Sequence, residues 1–222
     1  MNTNLTEIAY ILDRSGSMQG LQEAAITGFN AFLQSQLDEP GDTNLTLMLF
    51  DNEFLLPNER SPLQEVRPLD ASTYVPRGST ALLDAIGRTI DSLGKKLAKE
   101  PEDRRPGKVV VAIYTDGYEN ASSEFTIKDI NKRITHQRNK YGWEFIFLAA
   151  NEDAITTACQ MGIDAGMAAV SELSAKGVHR SSSSFNRKIS SLRKAAMLNE
   201  LDEDYVKPMS EIVREEEQKP EP

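Results

Sequence analysis

Short apolar runs alternate along this chain with segments in which apolar residues follow a helical spacing. The runs at 8–12, 45–50, 109–114 and 145–150 have the length of strands and consist mainly of aliphatic and aromatic residues. Between them, apolar residues recur every three or four positions, most regularly from 82 to 97. Because parallel strands need long crossover connections, this alternation predicts an α/β fold: a doubly wound, Rossmann-like, mostly parallel sheet with helices on both faces.

Weaker patterns predict the remaining elements. The run at 54–56 follows the strand at 45–50 after a short polar turn, which indicates a hairpin with one antiparallel strand at a sheet edge. Residues 57–79 contain several prolines and are expected to form an irregular loop. Further helices and a short strand are predicted at 21–32, 127–134, 155–159, 167–170 and 185–196.

The predicted organisation has three parts. We expect one domain over 1–170, a C-terminal helical extension over 171–199, and a polar, acidic and flexible tail over 200–222, where charge runs lack an apolar period. The four serines at 181–184 are interpreted as a solvated linker.

Charge and cysteine content exclude several classes of partner and compartment. The chain has 34 acidic residues against 25 Lys and Arg, a formal net charge of −9, so it repels phosphate backbones and anionic lipid on average. We therefore expect no nucleic acid and no membrane as partner, and no apolar run approaches the roughly 20 residues of a membrane-spanning helix. Cys159 is the only cysteine, and residues 1–7 lack the segments of a secretion signal. These features predict a cytoplasmic protein. Cys159 falls on the apolar side of its predicted helix with Ile155, which predicts a buried, inert thiol.

Five oxygen-bearing side chains are expected to meet at one edge of the sheet. Asp13, Ser15 and Ser17 follow the first strand at alternate positions, and alternate residues of an extended segment face the same way. Asp116 comes directly after the strand at 109–114 and Thr115, and Thr80 lies in the loop before the helix predicted at 82–97. In open α/β sheets, ligands bind beyond the carboxyl ends of the strands, which is where these residues fall.

The chemistry of this set favours a hard cation. Two carboxylates and three hydroxyls, without imidazole or thiolate, suit Mg²⁺ or Mn²⁺ better than zinc. Mg²⁺ takes six ligands in an octahedron, so this set leaves room for an oxygen from outside. Each piece taken alone also fits a turn or a helix cap, since Asp, Ser and Thr bind nearby backbone amides.

In order and spacing, three sequence pieces resemble the metal-ion-dependent adhesion site (MIDAS) of von Willebrand factor type A domains, here of the stand-alone bacterial or phage type. The pieces are Asp13-x-Ser15-x-Ser17, Thr80 within Gly-Ser-Thr-Ala-Leu, and Thr115-Asp116-Gly117. The resemblance extends over about 6–170 and implies the strand order 3-2-1-4-5-6. It also implies that Ser15 and Ser17 ligate the metal directly, and that Thr80 does so in the binding-competent state. Asp13 and Asp116 would act directly or through water.

The resemblance further implies a partner protein whose exposed Asp or Glu completes the metal shell, in a larger assembly or beside an AAA+ ATPase. Residues that flank the motifs are expected to form the rim that contacts this partner. These rim residues are Arg14, Met18, Gln19, Arg77, Ser79, Tyr118 and Glu119.

Two alternatives remain open at this point. A metal at this edge also serves hydrolases and phosphotransfer enzymes, but the sequence has no phosphate-binding Gly-x-x-x-x-Gly-Lys-Ser/Thr loop, and Ser15 stands where an aspartyl phosphatase has a second Asp. His136 and His179 lie far in sequence from the motifs, so we expect no catalytic residues. The other alternative is a structural subunit with a vestigial site, whose tail docks to an assembly.

Overall fold

The computed structural model describes residues 1–219. Within this range, six strands form one sheet in the order β3-β2-β1-β4-β5-β6. The β2–β3 pair is antiparallel and the other neighbouring pairs are parallel. The strands are β1 (Asn2–Asp13), β2 (Asp42–Phe50), β3 (Phe54–Pro62), β4 (Pro106–Thr115), β5 (Glu144–Ala149) and β6 (Ala168–Val170). The fold class, the antiparallel edge and the strand order are therefore confirmed.

Helices cover both faces of the sheet. They are α1 (Gln22–Leu37), α2 (Leu82–Lys99), α3 (Ile127–Tyr141), α4 (Ala154–Gln160), α5 (Ala175–Leu198), α6 (Glu203–Val206) and α7 (Met209–Gln218). Successive side chains of β1 point to opposite faces. Ile8 and Tyr10 pack in the apolar cluster shared with α1 and α5, whereas Ala9 and Ile11 pack in the cluster shared with α2 and α3. Both faces of the central strands are thus buried, which explains their unbroken apolar runs.

The serine run is part of α5, and the linker interpretation was wrong. Ser181, Ser182 and Ser184 are buried, and the hydroxyls of Ser181 and Ser184 donate to backbone carbonyls one turn earlier, both at 2.8 Å. A β-carbon added at Gly28 of α1 would lie 2.6 Å from Ser182 Oγ. Small side chains are needed here because α1 and α5 approach closely, a requirement that composition alone does not reveal.

The segment expected to be a flexible tail contains α6 and α7 instead. Met209 and Ile212 are fully buried in the apolar cluster of α1 and α5. Their helical spacing is hard to recognise in the sequence because charged residues surround them. The ammonium group of the buried Lys188 donates to three backbone carbonyls of this segment, those of Asp204, Tyr205 and Lys207, at 2.8, 2.8 and 2.9 Å. Burial lowers the pKa of Lys188. The last three residues of the predicted tail, 220–222, lie outside the described residues.

The structure also bears on the burial of Cys159 and on membrane-spanning helices. Cys159 is exposed on α4 rather than buried, because the inward positions of this short helix are Ala154 and Ala158. No helix within residues 1–219 has the length and apolar character needed to cross a membrane.

Candidate metal centre

Asp13 lies at the centre of the carboxyl edge of the sheet. Asp13 is the last residue of β1, and Thr115, beside it, is the last residue of the adjacent strand β4. The buried Asp13 carboxylate accepts hydrogen bonds from the Ser15 amide at 2.7 Å and from Thr115 Oγ1 at 2.5 Å. Burial raises the pKa of Asp13 to about 6, although both hydrogen bonds oppose this shift. A negative charge at this position is therefore costly unless a cation lies beside it.

The three predicted pieces of the site are in contact. Ser15 Oγ and Ser17 Oγ are 3.0 Å apart, and Ser17 Oγ donates to Asp116 Oδ1 at 2.9 Å. The point that a β-carbon on Gly117 would occupy is 3.2 Å from Thr80 Oγ1 and 3.7 Å from Ser17 Oγ. Glycine thus leaves open a space that Thr80 and Ser17 border.

Asp116 carries a buried oxygen atom that has no partner. Its Oδ1 accepts from Ser17, whereas Oδ2 is buried without a hydrogen bond to any residue in the described part of the chain. Burial raises the pKa of Asp116. An unpaired buried carboxylate oxygen is costly, and a cation bound beside it would offset that cost.

The residues at this edge fit a divalent cation with oxygen ligands. Two carboxylates and three hydroxyls supply only hard donors, one carboxylate oxygen is unpaired, and Gly117 keeps open a space bordered by Thr80 and Ser17. Residues 1–219 contain no cluster of three or more His, Cys, Asp or Glu arranged for a metal. The candidate centre therefore depends on its hydroxyls.

The loop after β4 and the start of α2 form one hydrogen-bonded unit around Thr80. The Thr80 amide donates to Asn120 Oδ1 at 2.9 Å, and the Thr80 carbonyl accepts from the amides of Asn120 and Ala121 at 3.0 and 3.2 Å. Glu119 accepts from the Leu83 amide at 2.9 Å, and the buried Asp84 accepts from three amides of the same loop. These contacts fix Thr80 relative to Asp116.

A second set of contacts supports the loop after β1. Tyr74 is fully buried, and its hydroxyl donates to the backbone carbonyl of Asp13 at 2.5 Å. The Arg77 amide donates to the Arg14 carbonyl at 2.8 Å, and the Gly16 amide donates to the Gly78 carbonyl at 3.1 Å. The proline-containing segment expected to be irregular thus forms one wall of the site.

Two predicted rim residues are buried and cannot contact a partner in this structure. Met18 is fully buried in the core, and the Arg14 guanidinium lies 3.0 Å from the buried carboxylate of Asp51. Asp51 also accepts from Arg77 Nε at 3.0 Å, so it joins two loops of the site. Asp51 lies in the turn between β2 and β3, and nothing in the local sequence indicates which distant cations it binds.

The other predicted rim residues differ in exposure. Gln19, Arg77, Ser79 and Tyr118 are exposed at the carboxyl edge, with Tyr118 62% exposed. Glu119 is half-buried, and both of its carboxylate oxygens accept hydrogen bonds from the loop and from α2. It supports Thr80 and is not free for a partner.

Comparison with solved structures identifies the architecture. The chain resembles the von Willebrand factor type A structure from Catenulispora acidiphila with a TM-score of 0.54 at 14% identity, over 86% of this chain and 42% of that chain. This protein has the von Willebrand factor type A fold. Carboxyl-edge ligand binding is general in open α/β sheets, and the five predicted type A motif residues all lie at that edge.

Two other structures with this fold carry a metal. Manganese-loaded TRAP protein from Plasmodium vivax matches with a TM-score of 0.55 at 15% identity, over 78% of this chain and 70% of that chain. Proximal thread matrix protein 1 from the mussel byssus, with a zinc-occupied MIDAS motif, matches with a TM-score of 0.59 at 14% identity, over 84% of this chain. This chain spans about half the length of the mussel protein, 47%.

The amino-acid sequence of this chain has no recognised family match. No protein-family model matches the chain, and a search of curated proteins finds no significant match. At the identities given above, the solved structures establish the fold alone.

Proposed function

We propose that this protein binds a divalent cation, Mg²⁺ or Mn²⁺, and uses it to bind an acidic side chain of a partner protein. The observation that carries the proposal is the meeting of two buried carboxylates with three hydroxyls, where Asp116 Oδ2 has no donor among the described residues. Ser15, Ser17 and Thr80 would ligate the cation, and Asp13 and Asp116 would do so directly or through water. Five protein oxygens leave a position in the octahedral shell for the partner.

When bound, the cation would supply a strong, directional attraction for a carboxylate. The residues of this chain prepare that interaction. Gly117 keeps the approach free of a side chain, and the exposed Arg77 and Tyr118 flank it. Arg and Tyr are common anchors of protein interfaces. We therefore propose an exposed Asp or Glu on a protein surface as the ligand.

We propose binding rather than catalysis. A hydrolase would need a general base within reach of a metal-bound nucleophile. His136 lies in α3 and lines a cavity at the opposite end of β4, and both oxygens of Asp13 already accept hydrogen bonds. For the partner, we propose a cytoplasmic protein that belongs to a larger assembly or acts beside an AAA+ ATPase. The single cysteine of this chain is in keeping with a reducing compartment.

Calorimetric titration tests the metal site. Mg²⁺, Mn²⁺ and Zn²⁺ are titrated into the parent protein and into the Ser15→Ala and Thr80→Ala variants. We expect each substitution to weaken binding at least tenfold, because each removes one ligand. Ser123→Ala removes an exposed hydroxyl on the same side of the sheet and should bind as the parent does. Parent-like affinity in both site variants, shown folded by circular dichroism, would refute the proposal.

The partner is tested separately. Proteins captured from native lysate with Mg²⁺ are compared with those captured with a chelator, and with those captured by Thr80→Ala. Each candidate is then made with its exposed acidic residues changed to amides. We expect one such change to abolish Mg²⁺-dependent binding; binding that survives every change would exclude a carboxylate ligand.

A further inference from the structure

A second binding site is indicated at the amino ends of the strands. A cavity of about 260 Å³ lies there between the C-terminal parts of α2 and α3, with Leu97, Val109 and Trp143 among its walls. Residues 110–115 of β4 lie between the cavity and the candidate metal centre, which corresponds to a distance of roughly 20 Å. This inference is therefore independent of the proposed function.

One cationic side chain of the cavity wall, that of Arg105, is fixed in position without an acidic partner among the described residues. Its guanidinium donates to the backbone carbonyls of Glu100 at 2.9 Å and Ala98 at 3.2 Å. No carboxylate within residues 1–219 forms an ion pair with Arg105. Backbone carbonyls fix the position of the side chain while leaving its full positive charge available to a ligand.

The other polar groups of the cavity are also suited to an anion. Trp143 is only 5% exposed, and no described residue accepts a hydrogen bond from its indole N–H. His136 and Gln137 also line the cavity, and no Asp or Glu does. In a chain with a net charge of −9, a cavity wall without carboxylates is a local reversal of charge.

We propose that this cavity binds a small apolar molecule that carries one carboxylate group. Arg105 binds the carboxylate, and the apolar body packs against Leu97, Val109 and the Trp143 ring. Ligand pockets generally combine apolar walls with a few polar groups that fix orientation, and the size of this cavity suits a ligand smaller than most drugs. Burial of the apolar body supplies affinity, and the charge selects the acid over its neutral analogues.

Trp143 is the only tryptophan of the chain, so its fluorescence reports directly on this cavity. The parent protein is titrated with 3-phenylpropanoate and, as the matched neutral probe, with 3-phenylpropanamide. We expect saturable quenching by the acid and at least tenfold weaker binding of the amide. This comparison needs no variant, so it does not depend on whether a substitution folds.

Variants then locate the charge. Arg105→Gln should lower the affinity for 3-phenylpropanoate about tenfold, to that of the amide, whereas Arg104→Gln changes an exposed neighbour and should bind as the parent does. Ala98→Phe fills the cavity and should abolish quenching by both probes. Equal affinity for acid and amide, quenching that never saturates, or parent-like binding by Ala98→Phe would each overturn the proposal.

Discussion

Glu7 is a charged residue buried in the centre of the sheet. It lies on β1, accepts a hydrogen bond from Arg60 Nε at 3.1 Å, and leaves its Oε1 without a partner among the described residues. Arg60 reaches it from a distorted part of β3, where its φ of 51° is in the left-handed region. Burial raises the pKa of Glu7 to about 7, against the opposing effect of Arg60.

This raised pKa predicts a specific pH dependence of stability. A carboxyl group whose folded pKa lies above its unfolded pKa adds stability below the unfolded value, and this stability is lost as pH rises through about 7. The parent should therefore lose more free energy of unfolding than Glu7→Gln between pH 5 and 8, by at most about 3 kcal/mol. Urea unfolding of both proteins across this range measures the difference, and parallel pH profiles would contradict the prediction.

Single residues also mark what the sequence could and could not reveal. The placement of Asp13, Ser15 and Asp116 at one edge was predictable because each follows a recognisable strand, and the ends of neighbouring parallel strands meet at one edge. The burial of Arg14 was not predictable, since it depends on Asp51, 37 positions away in the β2–β3 hairpin. Sequence patterns locate residues along elements but do not identify ionic partners across them.

At the scale of elements, the start of α2 and the loop after β4 behave as one unit. Asn120 and Ala121 bind both polar backbone groups of Thr80, and Glu119 and Asp84 add further contacts between the two segments. The position of the Thr80 hydroxyl therefore depends on residues that do not belong to the proposed ligand set.

We expect Asn120→Ala to weaken Mg²⁺ binding about threefold to tenfold, because it removes the acceptor of the Thr80 amide and loosens the loop. Asn120→Asp keeps an acceptor at the same position and should retain most of the affinity. Calorimetry with both variants distinguishes positioning from direct ligation. Equal loss in both variants would argue against the positioning role of the Asn120 oxygen.

The C-terminal elements give a prediction about stability. Ile212 of α7 is fully buried, so Ile212→Ala should lower the free energy of unfolding by about 2–5 kcal/mol. Val206 is 75% exposed, and Val206→Ala should change it by less than about 0.5 kcal/mol. Urea unfolding checks both values. Similar effects at the two positions would mean that α7 does not pack in solution as it does here.

The helices of this region also show why the tail was mispredicted. In α7 the apolar residues Met209, Ile212 and Val213 have helical spacing but stand among glutamates, and one turn of periodicity is a weak signal. Arg187 of α5 supplies the opposite charge and forms ion pairs with Asp204, Glu215 and Glu216. The acidic composition thus reflects ion pairing with a distant helix.

For the molecule as a whole, the proposed cation should stabilise the folded state. A ligand that binds only the folded protein adds about 2.7 kcal/mol at 100 times its Kd, which corresponds to a rise in Tm of roughly 5–10 °C for a chain of this size. Calorimetric scans with Mg²⁺, with a chelator, and with NaCl at matched ionic strength measure this rise. Ser15→Ala should show little of it. A Tm that Mg²⁺ leaves unchanged would contradict the metal site.

The overall architecture was predictable because the alternation of strands and helices extends over most of the chain, and long periodic patterns are the most dependable. The cavity beside Trp143 was not, since its walls come from α2, α3, the start of β4 and the residues that precede β1, β4 and β5, which meet only after folding. Features made by one element can be inferred from sequence, whereas cavities between elements require the packed structure.

The close approach of α1 and α5 has a consequence for how the protein tolerates mutation. Four consecutive serines would normally mark a freely variable stretch, yet Ser182 lies against Gly28 with almost no spare volume. A saturation library should therefore reveal a row of intolerant positions along α5, restricted to glycine, alanine and serine. The serine run, which has the simplest composition in this chain, is therefore expected to tolerate few substitutions.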